Sequence, residues 1–225
     1  MGSFNIGDFI LYMVAFIFSL SLHEAAHAWM SNRFGDDLAR SQGRITLNPV
    51  SHIDPIGTLL FPTIAFFTGA PMLGWAKPTP VNPLRWTNRR VANIWVSAAG
   101  VIGNLIIATI AGIIIRVLYE TGLTAPWPVV TLTTESLIAV GAGKLLQFFF
   151  VMNVVLAVFN LIPIPPLDGS KILGSLLPES FESAINALEQ FGFILLFIAV
   201  FTGVFNAVFR VILPIALKMI YLGAY

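Results

Sequence analysis

Cysteine is absent from this 225-residue sequence, and histidine occurs only three times. Without cysteine there is no disulfide, no thiol nucleophile and no thiolate ligand, so a bound metal would have to use His, Asp or Glu. Charge is also scarce, at 10% of the residues, whereas an ordinary soluble domain has about 25%. So little charge cannot cover the surface of a water-soluble globule. The net charge of +1 comes with no dense basic cluster, which excludes nucleic acid as a predicted partner.

Long apolar runs are what the sequence has instead, and hydrophobic residues make up 57% of it. About 20 apolar residues are enough to cross a bilayer as a helix. Four uncharged runs are that long, and a fifth apolar run starts at Phe9 and reaches Ser31 if three ionisable residues are tolerated inside it. The sequence therefore predicts an all-α polytopic membrane protein with about five to six transmembrane helices. The four uncharged runs of sufficient length are residues 55–76, 91–115, 145–167 and 190–209.

The basic residues predict an orientation in the membrane. Seven of the twelve Lys and Arg lie in residues 32–54 and 77–90, whereas the loop 119–136 has none. By the positive-inside rule, the first two segments face the cytoplasm and the loop faces the outside. We therefore expect an integral protein of the cell (inner) membrane.

Residues 55–76 would then have both ends on the cytoplasmic side. Their three prolines, Pro55, Pro62 and Pro71, favour a broken, re-entrant element, with a kinked full span as the alternative. Further on, residues 178–190 have the pattern of a short surface helix. Residues 191–220 predict a long span or a helical hairpin, interrupted near Arg210 and Pro214.

The residues that indicate chemistry begin with His23-Glu24-Ala-Ala-His27. On a helix, positions i and i+4 lie on one face, so both imidazoles can reach one metal ion, and Glu24 lies beside them as a base. Ionisable residues inside a membrane run are costly and are usually functional. The alternative is a packed histidine pair with a buried Glu in a transporter core.

Two histidines leave a catalytic zinc one protein ligand short, because such sites have three protein ligands and an open position. Asp168 is the favoured candidate, since it follows a proline-rich stretch at the end of the fourth run, where the chain can turn back into the bundle. A loop aspartate that caps the next helix is the alternative interpretation. His52, the only other histidine, is the second candidate.

Two motifs, HEAAHAW at the first site and NLIPIPPLDG around Asp168, resemble the site-2 protease family of intramembrane zinc metalloproteases (peptidase family M50). Three intermediate segments are also similar to bacterial members: GRITLNPVSHIDPIGT at 43–58, GWAKPTPVNP at 74–83 and SAAGVIGN at 97–104. The resemblance covers roughly residues 15–175. No PDZ or CBS module is recognisable, so the chain resembles the minimal branch of the family.

The resemblance implies one zinc ion per chain, with His23, His27 and Asp168 as metal ligands and Glu24 as the catalytic base. It also implies that Asn104 assists near the reaction centre. Family members usually have proline where this chain has Val101. This difference bears on the predicted position of Asn104 and does not affect the predicted metal ligands.

Three polar features have interpretations of their own. An amide in an apolar helix, such as that of Asn104, can donate to an oxyanion or make an interhelical hydrogen bond. His52 could orient substrate or donate to the intermediate, or it could be a satisfied loop histidine. Residues 75–82, which include Lys77, could form a strand-like edge for an extended substrate, so the re-entrant region is expected to be partly β-like near the active site.

The predicted function is hydrolysis of peptide bonds within or near transmembrane segments, with the site toward the cytoplasmic side. We expect a single domain over residues 1–225, with a catalytic core at about 9–175 and C-terminal helices at 178–225. The expected partners are a transmembrane protein or peptide substrate and membrane lipid. A metal or ion transporter and a CAAX-type membrane metalloprotease are the alternatives. The sequence leaves the physiological substrate, any upstream protease and the oligomeric state open.

Overall fold

The computed structural model describes residues 5–69, 74–124 and 137–221, and within these ranges the chain is helical with no strand. Short 3-10 turns occur at Pro49–Ser51, Pro83–Arg85 and Glu179–Phe181, and a π-helical turn, Pro55–Leu60, leads directly into the third α-helix. In chain order the α-helices are α1 (Ile6–Arg33), α2 (Leu38–Ser41), α3 (Phe61–Thr68), α4 (Arg89–Glu120), α5 (Leu137–Leu161), α6 (Asp168–Leu176), α7 (Glu182–Gln190), α8 (Gly192–Phe201) and α9 (Val204–Ile220).

Three helices are long and apolar enough to cross a membrane. They are α1, α4 and α5, with 28, 32 and 25 residues and mean hydropathies of 1.7, 2.3 and 1.9. A bent pair, Ser183–Gln190 and Gly192–Phe201, meets at 65° and makes up to a fourth span if it is counted as one. The helical stretch Pro55–Thr68 belongs to the shorter apolar helices. These helices confirm the predicted all-α membrane protein, with three candidate spans in the described ranges.

The long helices begin at asparagine caps. Asn5 accepts a hydrogen bond from the N–H of Gly7 at 2.8 Å, and Asn88 accepts one from the N–H of Val91 at 3.1 Å. Such caps satisfy N–H groups that have no partner inside the helix. They fix where α1 and α4 begin.

The helices α1, α4 and α5 pack against one another and bury two apolar clusters. One cluster lies between α1 and α5 and contains Tyr12, Phe16, Leu20, Met152 and Leu156, with Ala76 from the segment before α4. The other joins α4 and α5 to the end of α9 through Ala108, Ala111, Ile115, Phe150, Val154, Ile220 and Tyr221. The end of α9 thus packs against α4 and α5.

The C-terminal hairpin breaks at a different place from the one predicted. Helix α8 ends at Phe201 and α9 starts at Val204 after Gly203, whereas Pro214 lies inside α9. The prediction of an interruption near Arg210 and Pro214 was therefore wrong. A proline removes one intrahelical hydrogen bond, and membrane helices tolerate this where neighbouring groups compensate.

Candidate metal centre

The two motif histidines lie one turn apart on the buried face of α1. Both are at most 9% exposed, and their rings meet edge to face with centroids 4.5 Å apart. The Nε2 atoms of His23 and His27 are 2.9 Å apart. The helical i, i+4 spacing therefore does what the sequence predicted, because it brings two imidazole nitrogens to one point.

Asp168 reaches the same point from the other end of the chain. It is the first residue of α6, and its Oδ2 lies 3.2 Å from Nε2 of His23 and 3.1 Å from Nε2 of His27. The proline-rich connection from α5 makes this return, and Gly169 allows it, because a Cβ there would lie 2.3 Å from the carbonyl oxygen of Leu161. The structure thus brings together the three residues predicted as ligands.

The tautomers of both histidines follow from their second contacts. Nδ1 of His27 lies 2.6 Å from the carbonyl oxygen of Val96, which can only accept, so Nδ1 carries the proton. Nδ1 of His23 lies 2.6 Å from Oδ1 of Asn104 and donates in the same way. In the neutral imidazoles both Nε2 atoms therefore direct lone pairs toward Asp168.

Asn104 is held in place by a buried network that joins three helices. Its Nδ2 donates to Oδ1 of Asn153 at 2.8 Å and to the carbonyl of Ser19 at 3.3 Å. Asn153 in turn donates to Oγ of Ser19 at 2.8 Å. These contacts leave Oδ1 of Asn104 as the atom that faces His23. Both of the amide's N–H groups are engaged away from the histidines, so the side chain as placed does not aim a donor at a substrate oxygen.

Helix α4 approaches the histidines closely at Gly100. A Cβ built there would lie 2.5 Å from Cε1 of His23 and 2.6 Å from Nε2 of His27. Real Cβ contacts are essentially never that short, so this position needs glycine for space.

The three convergent atoms fit a zinc ion. Among the described residues, the buried Oδ2 of Asp168 has no hydrogen-bond partner, although such atoms are nearly always satisfied. The three atoms form a triangle with sides of 2.9, 3.1 and 3.2 Å, and ligands about 2.0–2.1 Å from a tetrahedral zinc lie about 3.3 Å apart. A cation at this point would relieve the repulsion among the lone pairs.

Glu24 lies beside this triangle and is held separately. One oxygen of Glu24 lies within 4.8 Å of ring nitrogens of both histidines. Its Oε2 accepts a hydrogen bond from the N–H of Thr79 at 2.8 Å, and Oγ of Thr79 donates to the Glu24 carbonyl at 3.0 Å. Glu24 is half-buried, whereas Asp168 contacts both imidazoles directly. Asp168 is therefore the carboxylate that completes the triangle with the two imidazoles, and Glu24 lies to one side of it.

His52 is buried, and its ring makes a hydrogen bond within its own loop. Its Nε2 donates to the carbonyl of Thr46 at 2.9 Å, and its own carbonyl accepts from the N–H of Lys77 at 2.8 Å. Nδ1 has no partner. The described contacts of His52 are with the loop and the 75–82 segment, and none of them is with the histidine pair.

The prediction of a partly β-like segment at 75–82 was wrong for the described residues. No strand forms there, and four of the segment's six N–H groups donate to the rest of the protein. Two of its residues, Pro78 and Pro80, have no N–H to offer. An edge with so few free donors cannot pair regularly with an extended substrate.

Sequence reasoning missed three residues of this site. Asn153 carried a usable signal, since an amide inside an apolar helix rarely lacks a partner. Thr79 lay in a segment noted only as a substrate edge, and Ser19 gave no signal because serine is common in such helices. Their contacts span 49 to 134 residues of sequence, so spacing alone could not reveal them.

An apolar helical bundle with a buried pair of histidines, an aspartate against both and a glutamate alongside defines a membrane metalloprotease. The comparisons with known proteins agree, because the model of peptidase family M50 matches residues 11–201. The chain belongs to peptidase family M50. The predicted resemblance to site-2 proteases is confirmed.

Two relatives show how far the similarity extends. YwhC of Bacillus subtilis (strain 168), named as a zinc metalloprotease, is 38% identical over 189 residues, which cover 83% of this chain and 78% of that protein. Rip2 of Mycolicibacterium smegmatis, also named as a zinc metalloprotease, is 28% identical over 193 residues, covering 86% and 67%. No solved structure matches the chain.

These findings confirm an intramembrane zinc metalloprotease with Zn²⁺ as its cofactor. The two alternatives, a metal or ion transporter and a CAAX-type protease, are not favoured. The substrate is a protein in the membrane.

Proposed function

We propose that His23, His27 and Asp168 hold the zinc ion and that Glu24 is the catalytic base for cleavage within or near a membrane-spanning segment of the substrate. The observation that carries this proposal is the convergence of three candidate ligand atoms within 3.2 Å of one another. The half-buried Glu24 beside them supplies the proton-transfer group.

The division of labour follows from the contacts. When bound, zinc polarises the scissile carbonyl and makes a water molecule more acidic. Glu24 takes the proton of the attacking water on a carboxylate oxygen and later passes it to the leaving nitrogen. The carbonyl of Val96 and Oδ1 of Asn104 keep the imidazole protons on Nδ1, so both Nε2 atoms remain ligands.

Two further site residues act differently in this proposal. Asn104 orients His23, because its oxygen accepts from Nδ1 and both of its N–H groups are engaged elsewhere. His52 holds the loop at Thr46 and the segment at Lys77, two residues before Thr79, which binds Glu24. Both are therefore positioning residues.

We propose one domain over residues 1–225, with the catalytic core at about 9–175 and the helices of 178–225 packed on it. Contacts of Leu167 with Leu196 and Phe205 support this arrangement. We also propose that the chain crosses the membrane five to six times and that residues 55–76 are re-entrant. The helical stretch Pro55–Thr68 would be one arm of that re-entrant segment.

The proposed orientation puts the metal centre toward the cytoplasm of the inner membrane. Single cysteines in this Cys-free chain test it at exposed positions. Cysteines at Ser41 and Thr87 should react with an impermeant reagent only from the cytoplasmic side, and one at Leu123 only from outside. Labelling of Ser41 and Thr87 from opposite sides would instead show that residues 55–76 cross fully.

The residue roles are tested by measuring zinc and cleavage in the same preparations. Glu24→Gln should abolish cleavage of a model membrane substrate and keep about one zinc per chain, because Glu24 is not a ligand. Asp168→Asn should lower both zinc and cleavage, since it loses the anionic ligand atom. Glu189→Gln, the same chemical change at an exposed site, should alter neither. Wild-type cleavage by Glu24→Gln would disprove the mechanism, and full zinc in Asp168→Asn would remove Asp168 from the site.

The substrate class has its own test. A helical substrate must unwind locally before its carbonyls are accessible, so membrane segments with Gly, Pro or Asn should be cleaved better. Membrane proteomics of wild-type cells against Glu24→Gln cells should reveal stubs that accumulate only in the variant.

A further inference from the structure

The 75–82 segment is fixed along its length by contacts with the surrounding protein. Its two ends are tied down at Trp75, whose N–H donates to the carbonyl of Gly57 at 3.2 Å, and at Asn82, whose N–H donates to Oδ2 of Asp36 at 2.7 Å. Asp36 is fully buried. Between these ends lies Thr79, which makes the two hydrogen bonds to Glu24. The segment is therefore part of the scaffold for the catalytic base.

Arg44 also holds this segment, through two of its carbonyl groups. The Arg44 side chain is buried at 5% exposure, and its Nη2 donates to the carbonyls of Lys77 and Pro78, the latter at 2.9 Å. Among residues 5–69, 74–124 and 137–221 no carboxylate lies within ion-pair distance of Arg44. A buried guanidinium without a paired carboxylate is costly, so a role beyond general packing is indicated.

We propose that Arg44 is a positioning residue for Glu24, because it fixes the carbonyls of Lys77 and Pro78 and thereby the neighbouring N–H of Thr79 that orients the Glu24 carboxylate. The inference rests on the proposed role of Glu24 as the base. The Arg44 guanidinium donates to the carbonyls of Lys77 and Pro78. The N–H of Thr79, which belongs to the same peptide group as the Pro78 carbonyl, donates to the Glu24 carboxylate.

The electrostatics agree with this placement. Burial lowers the pKa of the Arg44 guanidinium, and the Glu24 carboxylate opposes that shift. The two charges therefore attract one another although they are not in contact as an ion pair.

The test compares Arg44→Gln and Arg44→Lys with the wild type on one membrane substrate, with zinc content and melting temperature measured on each preparation. We expect Arg44→Gln to lower kcat about 10- to 100-fold, because a base misplaced by about 1 Å loses that much rate. KM should stay within about twofold and zinc near one per chain, since neither the metal ligands nor a substrate contact has changed. Arg44→Lys keeps the positive charge but lacks the planar guanidinium group that donates to two carbonyls, and it should lower kcat only about threefold.

A second readout does not depend on activity. Loss of the Arg44 contacts should increase amide hydrogen exchange in the peptide that contains Thr79, and Arg44→Lys should restore part of the protection. The matched control is Arg40→Gln, an exposed arginine four residues earlier in α2, which should leave kcat, zinc and exchange unchanged.

Each outcome decides the matter. Wild-type kcat in folded Arg44→Gln overturns the inference, and so does a raised KM with unchanged kcat, which would make Arg44 a substrate contact. A parallel loss of zinc would place its effect on the metal centre instead. If Arg44→Gln does not fold, Arg44→Lys decides, and wild-type kcat there overturns the proposal. Cleavage by Glu24→Gln would defeat the proposed function itself, whereas an inactive Glu24→Gln beside a fully active Arg44→Gln would defeat only this inference.

Discussion

Helix α4 runs through two regions that are stabilised in opposite ways. At Gly100 and Asn104 it faces the metal centre, where buried polar atoms make specific contacts with single partners. One turn further, from Ala108 to Ile115, it faces an apolar cluster with α5 and α9. Directional hydrogen bonds fix positions to a few tenths of an ångström, whereas apolar packing needs only the right volume. We therefore expect substitutions in the first region to act on zinc and catalysis, and those in the second on stability.

The largest expected effect is at Gly100. In Gly100→Ala the new methyl would lie 2.5–2.7 Å from atoms of the two histidine rings, so the rings must move and the ligand triangle is lost. We expect at least about a 100-fold fall in cleavage, together with lost zinc. Gly103→Ala is the control on the same helix, because its nearest contact would be an ordinary 3.4 Å. Normal zinc in folded Gly100→Ala would show that the site is more adaptable than its geometry indicates.

The next effect is expected at Asn104. Asn104→Ala leaves the Nδ1 proton of His23 without an acceptor in a buried place, and should weaken zinc binding about 10- to 100-fold. Competition with a chelator would measure it. Asn160→Ala is the matched control, since its Nδ2 donates to the Leu156 carbonyl of its own helix at 2.9 Å. Equal zinc affinity in the two variants would contradict a role for Asn104 in holding His23.

A change in the apolar region should separate stability from function. Ile115, at 1% exposure, leaves a cavity when replaced by alanine. Such truncations cost about 2–5 kcal/mol, so Ile115→Ala should melt at a lower temperature in the same detergent. Below that temperature zinc content and kcat should match the wild type. A fall in zinc affinity at low temperature would show that the two regions are coupled.

The smallest effect is expected at the end of the same helix. Glu120 pairs with Arg116 at 2.6 Å on the surface, one helical turn apart. Exposed pairs contribute about 0–1 kcal/mol, so Glu120→Gln should change the melting temperature very little and zinc not at all. A larger shift than that of Ile115→Ala would reverse the comparison between polar and apolar regions.

What the sequence predicted well was local. The apolar runs predicted α1, α4 and α5, and the i, i+4 spacing predicted that His23 and His27 would converge. Asp168 also lies against them in the structure, after the proline-rich turn that was expected to bring the chain back into the bundle. These inferences need only a period, a length or a break in the chain.

What the sequence did not predict was non-local or depended on competition between weak preferences. The hydrogen bonds of Thr79 to Glu24 join residues 55 positions apart, and no periodicity encodes them. The 75–82 segment has the sequence pattern of an extended strand, yet it forms no strand. Most of its backbone N–H groups donate to the rest of the protein, and its two prolines have no N–H group. At the C-terminus a glycine broke the helical hairpin where a proline had been expected to.

The network of Ser19, Asn104 and Asn153 ties the metal centre to the assembly of the bundle. Each helix of the α1, α4 and α5 trio contributes one of these side chains, so a shift of one helix against the others breaks a bond that orients His23. Zinc retention thus reports whether the three helices remain in register. During purification, a detergent that loosens the bundle should release zinc before it removes helical structure. Metal content is therefore a better quality measure for this protein than helix content.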